Sequence, residues 1–355
     1  MAEKPFGVGI VGTGRIADLH AIEYMQNPDA RIVALCDQDP ALAQSRAKAW
    51  GVDDAFITDD IDALMARADV DLVEILLPHH LHLWGALKAI EAEKIVSVQK
   101  PMCVSLAEAD QLVAAADAAE RPVKIFENFL FHPPVIKALE LVESGAIGSP
   151  ISIRIKSNPG RSKTAWEVPA GATAWRQDHE KSGGGPLIFD DGHHKFALAW
   201  RFMGNPEDVH AYICRTETPT GEILDAPSIV SFRFPSNRIG NLEVVYSPGL
   251  EIDTRQYPQD DRIEITGSKG VLWVHGGHGR LGNPPPVELY ADGVTTRFDD
   301  IETAWEQSFV LSTRHFLEAL RRGEEPVLTP DEGRRILRFA LAAEESARKS
   351  QRVKI

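Results

Sequence analysis

The chain has 355 residues, 43% of them hydrophobic and 25% charged, a composition typical of a globular protein long enough for two domains. Its formal net charge of −14 argues against a general nucleic-acid binder and against a polybasic, membrane-binding surface. The three cysteines form no paired motif, no leader pattern opens the chain, and no apolar run reaches the roughly 18 residues of a membrane helix. These features predict a cytoplasmic protein.

The first motif is a glycine-rich turn between a buried strand and a helix. Phe6–Val11 is a short apolar run typical of a buried parallel strand, and residues 12–17 follow it with the pattern G-x-G-x-x-A. Gly12 permits the tight turn, Gly14 lets the backbone approach a pyrophosphate, and Ala17 lets the helix pack closely on the strand. The pattern predicts dinucleotide binding, and the alternative is a purely structural glycine turn.

A carboxylate, Asp37, follows the second predicted strand, residues 31–36. An acid about 20 residues beyond such a glycine loop binds the ribose 2′-hydroxyl and repels a 2′-phosphate. The next residues, Gln38 and Asp39, supply no arginine for a phosphate. The spacing therefore favours NAD over NADP, whereas a structural interpretation would have Asp37 cap the following helix.

Strands and helices alternate through residue 127. Further strands are predicted at 55–58, 72–77, 95–98 and 122–126, and helices at 40–50, 61–68, 81–91 and 105–119. This alternation predicts an α/β domain of the Rossmann type, a doubly wound parallel sheet with helices on both faces. Ligands in such sheets bind beyond the carboxyl ends of the strands, so the residues that follow each strand are the candidate site residues.

The rest of the chain predicts a different architecture. A connecting helix within 128–148 and a strand at 150–156 precede an irregular stretch, 158–181, and long irregular stretches are often functional. Strands then follow without long intervening helices at 209–215, 228–234, 240–246, 262–266, 270–275, 287–290 and 295–298, with helices at 313–320 and 330–348. We expect an NAD-binding domain at 1–127 and an α+β domain at 128–355, built on a large, mostly antiparallel open sheet. The last helix is a candidate for packing back on the first domain.

A glycine triplet introduces the strongest chemical motif of the second domain, at 183–194. Asp190 and His194 are four residues apart, so on a helix they share one face, and a carboxylate beside an imidazole can handle protons near neutral pH. The structural alternative is a helix N-terminal carboxylate and a surface histidine. Asp191 and Lys195 have the same spacing and are predicted to form a surface ion pair.

The chain resembles the Gfo/Idh/MocA oxidoreductases, which include glucose–fructose oxidoreductase and inositol dehydrogenase. The resemblance is carried by the glycine loop with Asp37, the segment Pro78–His82, Lys100-Pro101, and the pattern Asp-x-Gly-x-His at 190–194. The family has Glu-Lys-Pro where this chain has Gln99 before Lys100, and usually has Asn where His79 stands. Phe189 makes the spacing from the glycine triplet to Asp190 one residue longer than in the family.

The resemblance implies roles for particular residues. The family's catalytic lysine corresponds to Lys100, and its acid–base pair corresponds to Asp190 and His194, with His194 preferred to His193 as the base. The implied cofactor-binding residues are Gly12, Thr13, Gly14, Arg15, Ile16, Asp37, Pro78, His79, His82, Gln99 and Lys100. The implied substrate-binding residues are Lys100, Asn128, Trp175, Arg176, Asp190 and His194.

The function implied is that of an NAD-dependent dehydrogenase acting on a secondary alcohol of a sugar, inositol or related polyol. Two alternatives remain open: a glycoside hydrolase or lyase that uses NAD transiently, and a non-enzymatic sensor that binds NAD and a partner protein. The histidines at 79, 80 and 82 lack the further ligands of a known metal motif, so no metal is expected. The resemblance also implies a homodimer or homotetramer, because in this family the open sheet face makes a subunit contact.

Overall fold

A computed structural model describes residues 4–167 and 174–355. The chain divides into two compact units. The first comprises Met1–Asn128, Glu180–Gly183 and Phe309–Leu337, and the second comprises Phe129–His179, Gly184–Ser308 and Arg338–Ile355. Among the described residues, no helix is both long enough and apolar enough to cross a membrane.

The first unit contains a parallel sheet, and within the described residues it has six strands. They are β1 (Phe6–Val11), β2 (Ala30–Cys36), β3 (Phe56–Thr58), β4 (Leu72–Ile75), β5 (Ile95–Gln99) and β6 (Val123–Phe126). Their order is β3-β2-β1-β4-β5-β6, and every neighbouring pair is parallel. This order changes direction between β1 and β4, and such a switch point is where doubly wound sheets bind dinucleotides. The predicted Rossmann fold is confirmed.

The α-helices between these strands are Ala17–Gln26, Pro40–Trp50, Ile61–Met65, His82–Glu91 and Leu106–Ala118. Capping residues explain the bounds of the second of these helices. The second has Asp39 as its N-cap, whose carboxylate accepts the backbone N–H groups of Ala41 and Leu42, and it ends at Gly51 with φ of 70°. Proline at the first position fixes φ where no N–H is needed.

Two long helices lie near the C-terminus, Glu306–Arg322 and Pro330–Lys349. The first begins seven residues before its predicted start, and its buried Phe316 and Leu317 belong to the same hydrophobic cluster as Val8 and Ile10. The second opens with a capping box: Thr329 Oγ1 accepts the N–H of Glu332 at 3.3 Å, and the Glu332 carboxylate accepts the N–H of Thr329 at 2.9 Å.

The second unit contains a large sheet that is mostly antiparallel. Its strands are β7 (Pro150–Pro159), β8 (Asp208–Ile213), β11 (Ser228–Phe234), β12 (Arg238–Val244), β13 (Gln259–Gly267), β14 (Gly270–His275), β15 (Val287–Ala291), β16 (Val294–Phe298) and β17 (Val353–Lys354); β9 (Thr216–Glu217) and β10 (Ile223–Leu224) form a separate pair. The order in the described part of the chain is β16-β15-β14-β13-β7-β12-β11-β8-β17, with only β12 and β7 parallel. The predicted open sheet is confirmed, while β9, β10 and β17 were not predicted because two residues carry no periodicity.

One face of this sheet supplies a core. Alternate residues of β11 are buried, and Phe232 lies edge-on to Phe339 at a centroid distance of 4.9 Å. Further helical segments in the described part of the chain are Asn128–Phe131, Pro133–Glu143, Ala174–Gln177, His179–Ser182, Pro186–Asp190 and Gly192–Met203. The predicted single connecting helix at 128–148 is therefore two shorter segments, because Pro133 begins a new helix.

Candidate active site

The glycine loop after β1 has the geometry that close approach to a phosphate requires. Gly12 has φ of 92°, and a Cβ there would lie 2.5 Å from the carbonyl oxygen of Leu76, so only glycine fits. At Gly14 a Cβ would meet nothing within 4 Å, so the loop is open on that side. The loop leads directly into the helix Ala17–Gln26, whose N-terminal end favours negative charge. Thr13, Arg15 and Ile16 complete the loop.

Asp37, at the end of β2, closes this loop. Its Oδ2 accepts hydrogen bonds from the Thr13 backbone N–H at 2.7 Å and from Thr13 Oγ1 at 2.9 Å, and its Oδ1 accepts the Asp39 N–H at 3.0 Å. The nearby Arg46 donates to the Thr13 carbonyl at 3.2 Å and pairs with Asp18 at 3.0 Å. The guanidinium is therefore already engaged with a carboxylate. This arrangement fits a dinucleotide whose ribose carries a free 2′-hydroxyl.

The residues after β4 are held by backbone contacts. Pro78 precedes a short 3₁₀ turn, His79–Leu81, in which His79 is buried with Nδ1 2.8 Å from the Ser182 carbonyl oxygen. His82 begins the next helix and is fully buried, with Nδ1 2.8 Å from the Pro101 carbonyl oxygen and Nε2 2.7 Å from that of Leu77. His82 therefore links the end of β4 to the Lys100-Pro101 segment through its two ring nitrogens.

Lys100 follows β5 and is half-buried. Gln99 accepts its backbone N–H at 2.7 Å through Oε1, while Gln99 Nε2 lies 2.8 Å from Nε2 of His20. Asn128 follows β6, is 1% exposed, and opens the 3₁₀ segment Asn128–Phe131. The carboxyl ends of β5 and β6 therefore carry polar side chains, as the parallel sheet predicts.

The segment that carries Asp190 is a single π-helical turn, Pro186–Asp190, ahead of the helix Gly192–Met203. The prediction that Asp190 and His194 lie on one regular helix is therefore wrong, because the helix begins after Asp190. In the turn, the N–H groups of Asp190 and Asp191 reach back five residues to carbonyl oxygens. A π-turn contains one residue more than an α-helical turn, which accommodates the longer spacing at Phe189.

Two distant acids fix the start of this turn. The Asp225 carboxylate accepts the N–H groups of Leu187 and Ile188, both at 2.7 Å, and Glu344 accepts the N–H of Gly185 at 3.0 Å. A Cβ on Gly185 would lie 2.2 Å from an Asp225 oxygen, so this position of the triplet requires glycine. Burial raises the pKa of Asp225 to about 6, although the two N–H groups act to lower it. No sequence pattern near Asp190 indicates these caps.

Asp190 pairs with Arg176 rather than standing alone. Arg176 Nε donates to Asp190 Oδ2 at 2.9 Å, and its guanidinium lies 4.5 Å from the ring centroid of Trp175. The structure thus brings together three of the predicted substrate-binding residues within the second unit. Asp190 is 8% exposed and Arg176 is half-buried, so the pair is largely shielded from solvent.

Both histidines of the motif are buried, His193 fully and His194 with 4% exposed. The His194 ring stacks on Phe129 with a centroid distance of 4.4 Å and lies 6.1 Å from His278 in an edge-on orientation. The alternative of a surface histidine is therefore wrong. The choice of His194 as the base stays a prediction.

Lys195 corrects another expectation. It was predicted to form a surface pair with Asp191, yet Lys195 is 1% exposed and its ammonium contacts both Asp191, at 2.9 Å, and the buried Asp261, at 3.1 Å. Burial acts to lower the pKa of Lys195, but the two carboxylates raise it above its usual value. Lys195 is on a buried face of the helix Gly192–Met203, so its pair with Asp191 is not a surface pair.

Asp191, His194 and His278 place potential metal-ligand atoms within 4.8 Å of one another. However, Lys195 Nζ lies within 3.0 Å of both Asp191 oxygens, and Gln259 donates to one of them at 2.8 Å. An ammonium and an amide therefore already satisfy the carboxylate that a metal would need. This cluster is consistent with hydrogen bonding rather than metal binding.

The predicted substrate loop, 158–181, is partly regular. Its first residues belong to β7, Trp175 and Arg176 lie in the 3₁₀ segment Ala174–Gln177, and residues 168–173 lie outside the described part of the chain. Trp166 lies edge-on to Tyr257 at a centroid distance of 5.4 Å.

The glycine loop and the parallel sheet define a dinucleotide-binding protein of the Rossmann type. A family model described as an oxidoreductase family with an NAD-binding Rossmann fold matches residues 6–127, and its C-terminal alpha/beta domain matches residues 139–355. The chain therefore belongs to the Gfo/Idh/MocA oxidoreductase family. It is an NAD-binding member, as the sequence predicted.

The chain is also similar to individual proteins. The chain is 26% identical to the inositol 2-dehydrogenase of Rhizobium meliloti (strain 1021) over 352 residues, 98% of each chain. It is 31% identical to an uncharacterized protein of Saccharomyces cerevisiae over 246 residues, which covers 69% of this chain and 66% of that protein. Among solved structures, an oxidoreductase from Agrobacterium radiobacter in complex with NAD+, L-tartaric acid and magnesium has a TM-score of 0.84 at 21% identity, covering 99% of this chain and 98% of that one. This last likeness concerns the fold alone.

Proposed function

We propose that the protein is an NAD-dependent dehydrogenase that oxidises a secondary alcohol of a sugar, inositol or related polyol. The observation that carries the proposal is the buried polar set of the second unit, in which Asp190 pairs with Arg176 and His194 stacks nearby on Phe129. Membership of the oxidoreductase family and similarity to an inositol 2-dehydrogenase support the substrate class. The dehydrogenase would consist of a cofactor domain at 1–127 and a substrate domain at 128–355.

Each site residue has a proposed task. His194 accepts the hydroxyl proton as general base, and the ammonium of Lys100 stabilises the developing alkoxide. Bound NAD supplies the acceptor for the hydride that leaves the same carbon, so proton and electron pair are both accounted for. Asp190 and Arg176 bind neighbouring hydroxyl groups, because together they offer both acceptors and donors.

We propose that both backbone groups and side chains bind the cofactor. Gly12, Thr13, Gly14, Arg15 and Ile16 form the pyrophosphate loop. Asp37 accepts from the ribose 2′-hydroxyl, and Pro78, His79, His82, Gln99 and Lys100 form the nicotinamide side.

Two substitutions test the mechanism, with neighbours as controls. We expect Lys100→Ala and His194→Gln each to lower kcat by about 10²- to 10⁴-fold, the usual contribution of a positioned acid–base or electrostatic group. NAD binding, measured by calorimetry, should change little. Lys88→Ala, which alters a surface lysine paired with Asp62, and His193→Gln serve as matched controls. Wild-type turnover in Lys100→Ala or in His194→Gln would contradict the assigned roles.

A substrate screen separates the competing functions. Sugars, inositols and sugar acids are mixed with NAD, and the absorbance of reduced nicotinamide is followed. Stoichiometric NADH supports a dehydrogenase, whereas bond cleavage without net NADH indicates the NAD-assisted hydrolase or lyase. NAD binding without either reaction across the screen indicates a sensor.

We also propose the location and the binding partners of the enzyme. The thiols of Cys36, Cys103 and Cys214 are free, which supports a cytoplasmic location. The partners proposed are the small-molecule substrate and further copies of the chain, as a dimer or tetramer formed through the open sheet face, with no nucleic acid and no membrane. We propose that no metal takes part.

A further inference from the structure

The sheet of the first unit contains an unusual group of buried polar side chains. Glu74 of β4, Ser97 of β5 and Lys124 of β6 are register partners on three adjacent strands, and each is 0% exposed. Parallel strands covered on both faces normally carry apolar side chains at such positions. Buried polar groups of this kind persist when hydrogen bonds satisfy them and when they hold a particular arrangement.

A continuous chain of contacts leads from this group to Lys100. Tyr24 donates its hydroxyl to Glu74 Oε1 at 2.6 Å, and the other Glu74 oxygen lies 3.3 Å from His20 Nδ1. His20 Nε2 lies 2.8 Å from Gln99 Nε2, and Gln99 Oε1 accepts the Lys100 backbone N–H at 2.7 Å. The exposed fraction is at most 8% for Tyr24, Glu74, His20 and Gln99.

The hydrogen positions along this chain follow from one fixed donor. A backbone N–H can only donate, so the Gln99 atom that faces Lys100 must be the amide oxygen. The amide nitrogen then faces His20, whose Nε2 must accept and whose hydrogen is therefore on Nδ1, 3.3 Å from a Glu74 oxygen. All donors in this series of contacts, from Tyr24 to the Lys100 backbone, are consistent with a neutral His20 ring.

We propose that Gln99 and His20 are positioning residues for Lys100, matched to each other so that the Lys100 backbone is held by an uncharged pair. This inference rests on the proposed catalytic role of Lys100. A glutamate at position 99 could still accept the Lys100 N–H, but its second oxygen would face His20 Nε2 without a hydrogen. His20 would then need a proton on both nitrogens, as an imidazolium between two carboxylates.

The surroundings of His20 support a neutral ring. Phe126 and Phe309 pack against it with centroid distances of 4.1 and 5.2 Å, so apolar rings cover it. Glu74 and Tyr24 are titratable groups in this series of contacts, and Lys124 interacts electrostatically with Glu74. Burial lowers the pKa of Lys124 to about 7, although Glu74 acts to raise it, and Lys124 donates to Ser312 through two bonds of 2.9 Å.

The spectroscopic test does not depend on activity. Nitrogen-15 NMR of the histidine rings reports protonation, and His20 is assigned from the signals lost in His20→Gln. We expect a neutral ring with hydrogen on Nδ1 in the wild type, and an imidazolium in Gln99→Glu. A charged ring in the wild type, or an unchanged ring in Gln99→Glu, would overturn the proposal.

The kinetic test asks whether the pair acts through Lys100. His20→Leu removes the acceptor and should lower kcat roughly 10- to 100-fold, the range seen when catalytic groups are slightly misplaced, with KM for NAD within about twofold. His20→Gln retains an acceptor and should recover most of the loss. Ser97→Ala, on the same strand and face as Gln99, is the control and should match the wild type.

Equal kcat for His20→Leu and Ser97→Ala would refute positioning. Equal losses in His20→Leu and His20→Gln would refute it as well. Failure of the proposed function would appear differently, as an active Lys100→Ala with the His20 ring signals still as expected.

Discussion

At the scale of single residues, one carboxylate links the glycine loop to cofactor choice. Asp37 accepts both the N–H and the hydroxyl of Thr13, so its position is set by the loop that it would serve. With Oδ2 engaged in this way and Oδ1 accepting the Asp39 N–H, the carboxylate is fixed in orientation. A fixed negative charge discriminates against a 2′-phosphate better than a mobile one.

Asp37→Asn tests this assignment. The amide keeps the size but loses the charge and one acceptor, so kcat/KM for NAD should fall about 10- to 100-fold, which corresponds to a charged hydrogen bond of about 1.5–3 kcal/mol. The ratio of NADP to NAD turnover should rise. Initial rates with both cofactors provide the measurement, and Asp39→Asn is the neighbouring control. An unchanged cofactor ratio would contradict the role of Asp37.

The contacts of Lys195 lead to a second prediction, about metals. The ammonium lies within 3.0 Å of both Asp191 oxygens and neutralises the carboxylate that Asp191, His194 and His278 would otherwise offer to an ion. Dialysis against a chelator should therefore leave kcat unchanged within error, and added Zn²⁺ should not activate. Loss of activity on chelation, restored by one divalent ion, would disprove this prediction.

At the scale of elements, the π-turn Pro186–Asp190 depends on a residue far away in the sequence. Asp225 caps two of its N–H groups and is 6% exposed. Because the folded pKa of about 6 is above the value of 3.8 for a free carboxyl, its protonated form is favoured in the native state. The stability that this group contributes is complete below about pH 4 and is lost as the pH rises through about 6.

Asp225→Asn should remove that pH dependence. The wild type should lose about 2.4 kcal/mol of unfolding free energy between pH 4 and 7 through this group, at about 1.4 kcal/mol per pKa unit. Urea denaturation of both proteins at the two pH values measures the difference, and Asp62→Asn at the surface is the control. Identical pH dependence in Asp225→Asn and in the wild type would be inconsistent with a raised pKa.

Local signals explain which elements could be predicted from sequence. The strands Phe6–Val11, Ser228–Phe234 and Gly270–His275 and the helix Pro40–Trp50 have the predicted bounds, because alternation, turn residues or caps mark both ends. The boundary at Asp190 was predicted incorrectly because a π-turn has no periodic signature of its own.

At the scale of the whole molecule, contacts between distant residues were beyond the sequence. The cap of Leu187 by Asp225 spans 38 residues and the contact of Gln99 with His20 spans 79. Polar side chains do follow the strands of the parallel sheet, as the sequence predicts. The sequence shows that a carboxylate or an imidazole is present at a given spacing. Its burial and its partners in the folded protein determine its pKa and its reactivity.

The outer face of the large sheet leads to the prediction about assembly. Tyr212, Ile229 and Ile239 on β8, β11 and β12 are 65%, 40% and 56% exposed, and Ile229 is the register partner of Tyr212. Exposed apolar side chains on the face of an open sheet are typical of a subunit interface. Because a twofold interface uses the same patch on both copies, one substitution places two charges into it.

Ile239→Asp should therefore shift the protein toward monomer in size-exclusion chromatography with light scattering. The two introduced carboxylates repel each other and lose water on association, at a cost of several kcal/mol for each buried ion. Met25→Asp, at a residue 44% exposed on the helix Ala17–Gln26, controls for the loss of an exposed apolar side chain. If the wild type is itself a monomer, or if Ile239→Asp keeps the wild-type mass, this face is not the interface.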